Sequence, residues 1–193
     1  MPGTVQEEGM YAVESDEAPQ RGALTVESFT EIFETYYDRI FRYIFCRVGD
    51  YHASEDLSSL VFERALVNRA AYAPQRAGLA VWLFAIAGNA VADYHRNRKK
   101  RGVFSLEVLG DVASPDNPEE SCLTKEKHRE LYRALAILRE KERNIIALKY
   151  GAGLKNTEIA AMTGVSASNI GVVLSRSMRK LERFLSKGGC RNE

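Results

Sequence analysis

Residues 1–24 carry no apolar rhythm. Glu7, Glu8, Glu14, Asp16 and Glu17 alternate with small residues, a composition too polar to bury a core, so this stretch is expected to be disordered. The pattern then changes. Phe29, Ile32, Phe33, Tyr36, Tyr37, Ile40, Phe41, Ile44 and Val48 recur at three- and four-residue steps, the stripe of one amphipathic helix, and Gly49 and Asp50 mark its end. A second helix is expected over about 53–70, with Leu57, Leu60, Val61, Phe62 and Ala65 turned inward. Tyr72–Gly78 holds Pro74 among polar residues and reads as a loop. A third helix is expected from about Leu79 to Lys100, with Trp82, Leu83, Ile86, Ala90 and Tyr94 on its inner face and Gly102 closing it.

Residues 102–122, with Gly110, Pro115, Asn117 and Pro118, have linker composition. Apolar spacing resumes from about Leu123 to Ile137, edged by Leu131, Leu135 and Leu138. Further helical stretches follow at Lys141–Tyr150, Thr157–Met162 and about Ala167–Leu185, broken at Gly151–Gly153 and Gly164. No strand alternation or internal repeat stands out. The pattern predicts an all-α chain. Two small helical domains, 25–101 and 123–187, are joined by a flexible linker, 102–122, and a tail covers 188–193.

Composition narrows the chemistry. The net charge of +1 argues against a uniformly basic coat for nucleic acid but leaves local patches open. Cys46, Cys122 and Cys190 are far apart and form no Cys-x-x-Cys or Cys/His cluster, so neither a disulfide framework nor a metal site is expected. No signal-peptide pattern and no membrane-spanning apolar run appear, so the expected setting is the cytoplasm. No cofactor motif and no catalytic constellation are evident. Glu55 and Asp56 have no second acidic pair, histidine or metal-ligand spacing beside them.

The strongest local signal lies at the C-terminal end. In the run Thr157 to Ser166, Ile159 and Ala160 give a short helix its inner side, Gly164 stands where a sharp turn needs a left-handed residue, and Ser166 is placed to cap the next helix. Ile170, Leu174, Ser177 and Leu181 form the inner face of that last helix; Ser168, Asn169, Val172, Arg176, Arg179, Lys180 and Arg183 form the other. This is the layout of a helix-turn-helix with its recognition helix, N-terminal turns for the major groove and basic flank for phosphates. A helical hairpin with a solvated basic face has the same pattern. The run His95–Arg101 is a second basic cluster, suited to phosphates or to the negative end of a helix dipole.

Two motif sets resemble a known family. Ser54-Glu55-Asp56-Leu57 with Phe62, then Trp82-Leu83, Ile86-Ala87, Asn89, Asp93 and Arg96, resemble region two of bacterial RNA polymerase sigma factors. Leu135 and Leu138, Glu142-Arg143, Glu158-Ile159-Ala160 and Gly164-Val165-Ser166 resemble region four. The order is that of the extracytoplasmic-function branch, and the likeness covers about 26–101 and 123–185. It implies a function: binding core polymerase and directing promoter recognition, DNA melting and initiation. It implies that Glu55 and Asp56 contact the clamp helices of the largest subunit, with the flap of the second subunit as a further contact; first-turn carboxylates stabilising a helix start would look the same. Arg76, Asn89, Arg96, Arg98 and Lys99 are then candidates for the melted start-proximal (minus-ten) element, and Ser168, Asn169, Arg176, Arg179 and Lys180 for the upstream (minus-thirty-five) duplex. An anti-sigma factor is a common further partner in such a family. The chain departs from the family in two places. Ser58-Ser59-Leu60 replaces Val-Gln-Glu, and Asn169-Ile170-Gly171-Val172-Val173 replaces Thr-Val-Lys-x-Arg, which removes two basic contacts. A helix-turn-helix regulator acting without polymerase explains the C-terminal motifs but not the Trp82–Arg96 pattern.

Overall fold

The first apolar stripe forms helix α1 (Val26–Val48), which buries Ile32, Tyr36, Ile40, Tyr43, Ile44 and Val48. The computed structural model describes residues 24, 26–100 and 130–188. The expected linker 102–122, residues 123–129 and the terminal segments 1–23 and 189–193 lie outside them. Leu24, the last residue of the stretch expected to be disordered, is described and buried. Among the described residues there is helix and no strand.

Gly49 ends α1 in the left-handed conformation (φ 74°). Asp50 does not belong to that ending. It caps helix α2 (Tyr51–Val67), its carboxylate accepting from the Ala53 N–H at 2.8 Å. The second helix therefore starts earlier than expected, and its last part is a separate 3-10 turn at Arg69–Ala71. Leu57, Val61, Phe62 and Ala65 are buried as expected, whereas Leu60 is only half-buried. Two serines join the buried set. Ser54 Oγ donates to the Asp50 carbonyl at 2.5 Å and Ser58 Oγ to the Ser54 carbonyl at 2.7 Å, so neither hydroxyl enters the core unpaired.

Helix α3 (Leu79–Lys100) has the expected span but a different inner face. Leu79, Ala80, Leu83, Phe84, Ala87, Ala90 and Val91 are buried; Trp82, Ile86 and Tyr94 are half-buried at its margin. The helix is apolar nearly all round over its first three turns, so spacing alone does not choose among faces. Trp82 meets the Tyr72 ring at 5.2 Å, which anchors the Tyr72–Gly78 loop to α3.

In the C-terminal module, residues 130–136 form α4, followed by α5 (Glu140–Ile146), which continues as one π-helical turn (Ala147–Gly151). Leu135 and Leu138 are buried, but Leu131 is exposed and Tyr132 takes the inward place. Helix α6 (Asn156–Thr163) ends at Gly164 (φ 70°, ψ 8°), and α7 (Ala167–Gly188) leaves at 103° to it. Two glutamates fix helix starts by accepting from the backbone three residues upstream: Glu142 from Arg139 N at 3.0 Å and Glu158 from Lys155 N at 2.6 Å.

The two modules do not keep separate cores. One continuous buried cluster runs from α1–α3 into α4–α7. Polar contacts seal the junction. The Arg39 guanidinium donates to the Ala152 carbonyl at 2.9 Å, and the Tyr132 hydroxyl donates to the Val48 carbonyl at 3.0 Å. Asn144 Oδ1 accepts from both the Tyr43 hydroxyl (3.1 Å) and the Arg47 guanidinium. Each small module thereby gains apolar burial that its own size limits.

Candidate nucleic-acid interface

Local rules build the recognition helix. Gly164 supplies the left-handed turn, and Ser166 Oγ accepts from the Asn169 N–H at 3.3 Å. Ile170, Leu174, Ser177 and Leu181 are buried as expected. Their spacing leaves Ser168, Val172, Arg176 and Arg179 on the opposite side, all exposed, with Asn169 exposed beside them. The first two turns of α7 thus present short polar and apolar groups, and the next two present guanidinium groups.

Lys180 departs from that set. It lies on the flank of α7 and its ammonium donates to Glu142 Oε1 at 2.6 Å. This bond, then the one from Arg139 N, holds the Glu142 carboxyl below the usual range. The Lys180 charge is matched inside the module, whereas Arg176 and Arg179 are exposed on the outer face, as is Arg183 further along α7.

The candidates on α3 divide in the same way. Asn89 and Arg96 stand two turns apart on one exposed stripe, and Lys99 is exposed one turn on. Arg96 bonds Asp93 at 2.5 Å, and Asp93 also meets Arg64 of α2 at 3.5 Å. Arg98 turns back. Its guanidinium donates to the Tyr94 hydroxyl at 3.2 Å and lies 5.8 Å from that ring's centroid. His95 sits nearer the junction; partial desolvation first, and Arg47 next, hold its imidazole below the usual range. Arg76 is exposed in the loop, where its N–H closes a turn on the Ala73 carbonyl at 2.9 Å.

Asn89 also borders a cleft between α3 and the C-terminal module. Val81, Gly88, Asn144, Met162 and Thr163 are among its other walls. One α3 candidate therefore faces the edge of the helix-turn-helix module.

Glu55 and Asp56 lie in the second turn of α2, not at its first turn. Asp56 is exposed; Glu55 is half-buried and 3.7 Å from His52. The helix start is already served by Asp50, which takes away the local capping explanation for these two carboxylates. Among the described residues no cluster of metal-ligating side chains occurs.

Sequence reasoning missed the junction residues. Arg47 is buried although charged, held by Asn144 and Tyr43. The one signal it leaves in sequence is a basic residue on the apolar stripe of α1.

Comparison with known proteins agrees with this geometry. The Sigma-70 region 2 profile matches residues 32–101 and the Sigma-70, region 4 profile matches 128–181, together more than half of the chain. The ECF RNA polymerase sigma factor BldN of Streptomyces coelicolor is 31% identical over 160 residues, which cover 82% of this chain and 61% of that protein. The ECF RNA polymerase sigma factor SigW of Bacillus subtilis is 26% identical over 168 residues, covering 82% and 89%. In fold, the chain is similar to the sigma factor RpoE solved in complex with the anti-sigma factor NepR from Bartonella quintana. The TM-score is 0.67 at 20% identity, over 83% of this chain and 98% of that one. With both regions present in order and carried on the expected helices, the chain belongs to the sigma-70 family of RNA polymerase sigma factors, in its extracytoplasmic-function branch.

Proposed function

We propose that this chain binds core RNA polymerase and directs it to one promoter class. It reads the upstream element as duplex and holds the start-proximal element as melted strand. The observation that carries this reading is the pairing, in one chain, of an exposed recognition stripe on α7 with an exposed basic stripe on α3. Ser168 and Asn169 face base edges, while Arg176 and Arg179 neutralise phosphates. Asn89, Arg96 and Lys99, with Arg76 from the loop, follow the melted strand. Arg98 and Lys180 are turned back onto Tyr94 and Glu142 and serve mainly to position their own modules, and Arg96 exchanges its Asp93 partner for the strand when DNA is bound. Glu55 and Asp56 dock on the clamp helices of the largest subunit, and the C-terminal module meets the flap of the second. Catalysis belongs to the polymerase, and this chain is not itself an enzyme. Among the described residues no single helix is long and apolar enough to cross a membrane. Its place of action is the cytoplasm, with the polymerase.

The packed junction bears on this function. The two promoter elements lie about 25 base pairs apart, roughly 85 Å of duplex. The longest helices here span about 35 Å. Modules that share a core cannot reach both elements, so α1–α3 and α4–α7 part when polymerase and promoter are engaged. The similar RpoE was solved with an anti-sigma factor, and a partner of that kind on this chain would act by opposing the opening.

Run-off transcription with purified core polymerase tests the reading. The chain is expected to form a complex with core at low salt and to start transcripts at its promoter. No complex sinks the proposal. Charge reversal at Arg96 and Lys99 should weaken promoter opening more than core binding; equal loss of both counts against their assignment to DNA.

A further inference from the structure

Val172 is the apolar member of an otherwise polar outer stripe on α7. It lies in the second turn, four residues after Ser168 and four before Arg176, and is 42% exposed. Its position on the helix is opposite Ile170, Leu174, Ser177 and Leu181, which face the core. The other exposed large apolar groups of α7, Met178, Phe184 and Leu185, all come after Arg176. Valine gains nothing for the helix itself, because its branched Cβ is disfavoured there. Its neighbours in the chain leave it open. Gly171 has no side chain, and a Cβ there would meet only the Asn156 amide nitrogen, at 4.0 Å. Val173 packs against the core.

The chemistry of duplex DNA indicates what such a group meets. The N-terminal turns of a recognition helix enter the major groove and approach base edges. Adenine, guanine and cytosine show hydrogen-bonding groups there, whereas thymine adds a C5 methyl, an apolar feature. Gly171 and Val173 stand where the family pattern has lysine and arginine. The long cationic side chains are thus absent from this turn, and an isopropyl group is presented between their two positions.

We infer that Val172 is a specificity-determining residue that selects thymine, its methyl groups packing on the C5 methyl of one thymine in the upstream element. This rests on the reading of α7 as the recognition helix of a promoter-directing factor, and adds the base that one position demands. Removing apolar surface of both partners from water stabilises the complex through the methyl and not through the pairing edge of the base. Cytosine in the same place sets an amine against Val172, which loses water without gaining an acceptor, so the exchange is penalised. The contact is uncharged and releases no counterion, which separates it from the contacts of Arg176 and Arg179.

A duplex pool randomised over the upstream element, selected with the full chain bound to core polymerase, supplies the probe. Each thymine of the selected sequence is then replaced by deoxyuridine, which pairs identically and lacks only the methyl, and affinity is read by fluorescence anisotropy. At one thymine the replacement should weaken binding about fourfold, the effect of one buried methyl group. Val172→Ala should weaken binding to the unmodified duplex by at least that factor and should abolish the deoxyuridine effect at that thymine. Val172 is exposed, so Val172→Ala should melt like the parent. A selected sequence in which no thymine responds, or a deoxyuridine effect that persists in Val172→Ala, overturns the contact and leaves α7 as the recognition helix. If no complex with core forms, or the pool yields no preferred sequence, the recognition reading falls and the contact with it.

Discussion

The Tyr132 ring closes directly over Gly49, and its hydroxyl donates to the Val48 carbonyl at 3.0 Å. One residue thus caps the end of α1 from the other module. A Cβ at position 49 would fall inside the van der Waals shell of that ring, at a backbone φ of 74° that side chains rarely adopt. Gly49→Ala should therefore cost the backbone strain, about 1–2 kcal/mol, and also displace Tyr132. Tyr132→Phe removes only the hydrogen bond and should cost about 1 kcal/mol. Urea denaturation of the two variants checks the order. Equal losses would mean that the ring does not sit on Gly49 in solution.

Arg47 and Asn144 give a second measure of the same junction. Arg47 is buried, and its nearest carboxylate, on Glu140, lies 3.6 Å away on an 83% exposed side chain. Asn144 is the sheltered acceptor. Asn144→Leu removes the acceptor shared by the Arg47 guanidinium and the Tyr43 hydroxyl, leaving Arg47 only the Tyr43 oxygen and the exposed Glu140, and should destabilise by about 2–3 kcal/mol. Glu140→Gln should change stability by less than about 0.5 kcal/mol, as exposed pairs do. If the modules must part to engage polymerase, Asn144→Leu should also leave core affinity intact or raise it, because it weakens the closed form selectively. Small-angle scattering of the free variant should show a larger radius than the parent.

These junction contacts mark the limit of what the chain order reveals. Ile170, Leu174, Ser177 and Leu181, the turn at Gly164 and the cap at Ser166 were all legible, because each follows from rules acting within a few residues. The α1 stripe was legible in part: Phe29, Ile32, Tyr36, Ile40, Ile44 and Val48 are buried, but Phe33 is exposed, Tyr37 and Phe41 are half-buried, and Tyr43 takes an inward place that the spacing did not assign. The inner face of α3 was not legible, since Leu79–Val91 is apolar on several sides and α1, α2 and α6 each cover part of it. Arg47 to Asn144 spans 97 residues and Tyr132 to Val48 spans 84, and no local pattern encodes such pairs. The matching of Lys180 by Glu142, 38 residues away, was hidden for the same reason. The motif residues were found, but which of their charges point outward required the packing.

Glu142 should give the C-terminal module an acid-sensitive step. Its carboxyl lies below the usual range because the Lys180 ammonium and the Arg139 N–H both bond the charged form. The unfolded chain binds the proton more readily than the folded one. The contribution is thus fully present above the ordinary carboxyl value of 4.5 and is lost as pH falls through the lower folded value. Glu142→Gln should reduce stability at neutral pH and flatten its fall between pH values near 5 and 3, roughly the window this linkage sets. Melting curves across that range read both effects. A parent-like slope in the variant would assign the acid sensitivity to other groups.

The division of cations on α7 makes the last prediction. Arg176 and Arg179 face outward, and Lys180 is engaged with Glu142. Each phosphate contact contributes about 0.9 to the slope of log affinity against log salt. Arg176→Gln with Arg179→Gln should therefore lower that slope by about 1.8 for a duplex carrying the upstream element. Lys180→Gln should lower it by much less, because its charge is already compensated, and should instead weaken the α5–α7 contact seen in melting. Ser168→Ala and Asn169→Ala should leave the slope unchanged while narrowing the difference between the cognate and scrambled duplex, as base-edge contacts do. Fluorescence anisotropy over a salt series measures all four variants at once. A slope change for Lys180→Gln equal to that of one arginine would show that Glu142 releases the ammonium to DNA, and would return Lys180 to the set of phosphate contacts.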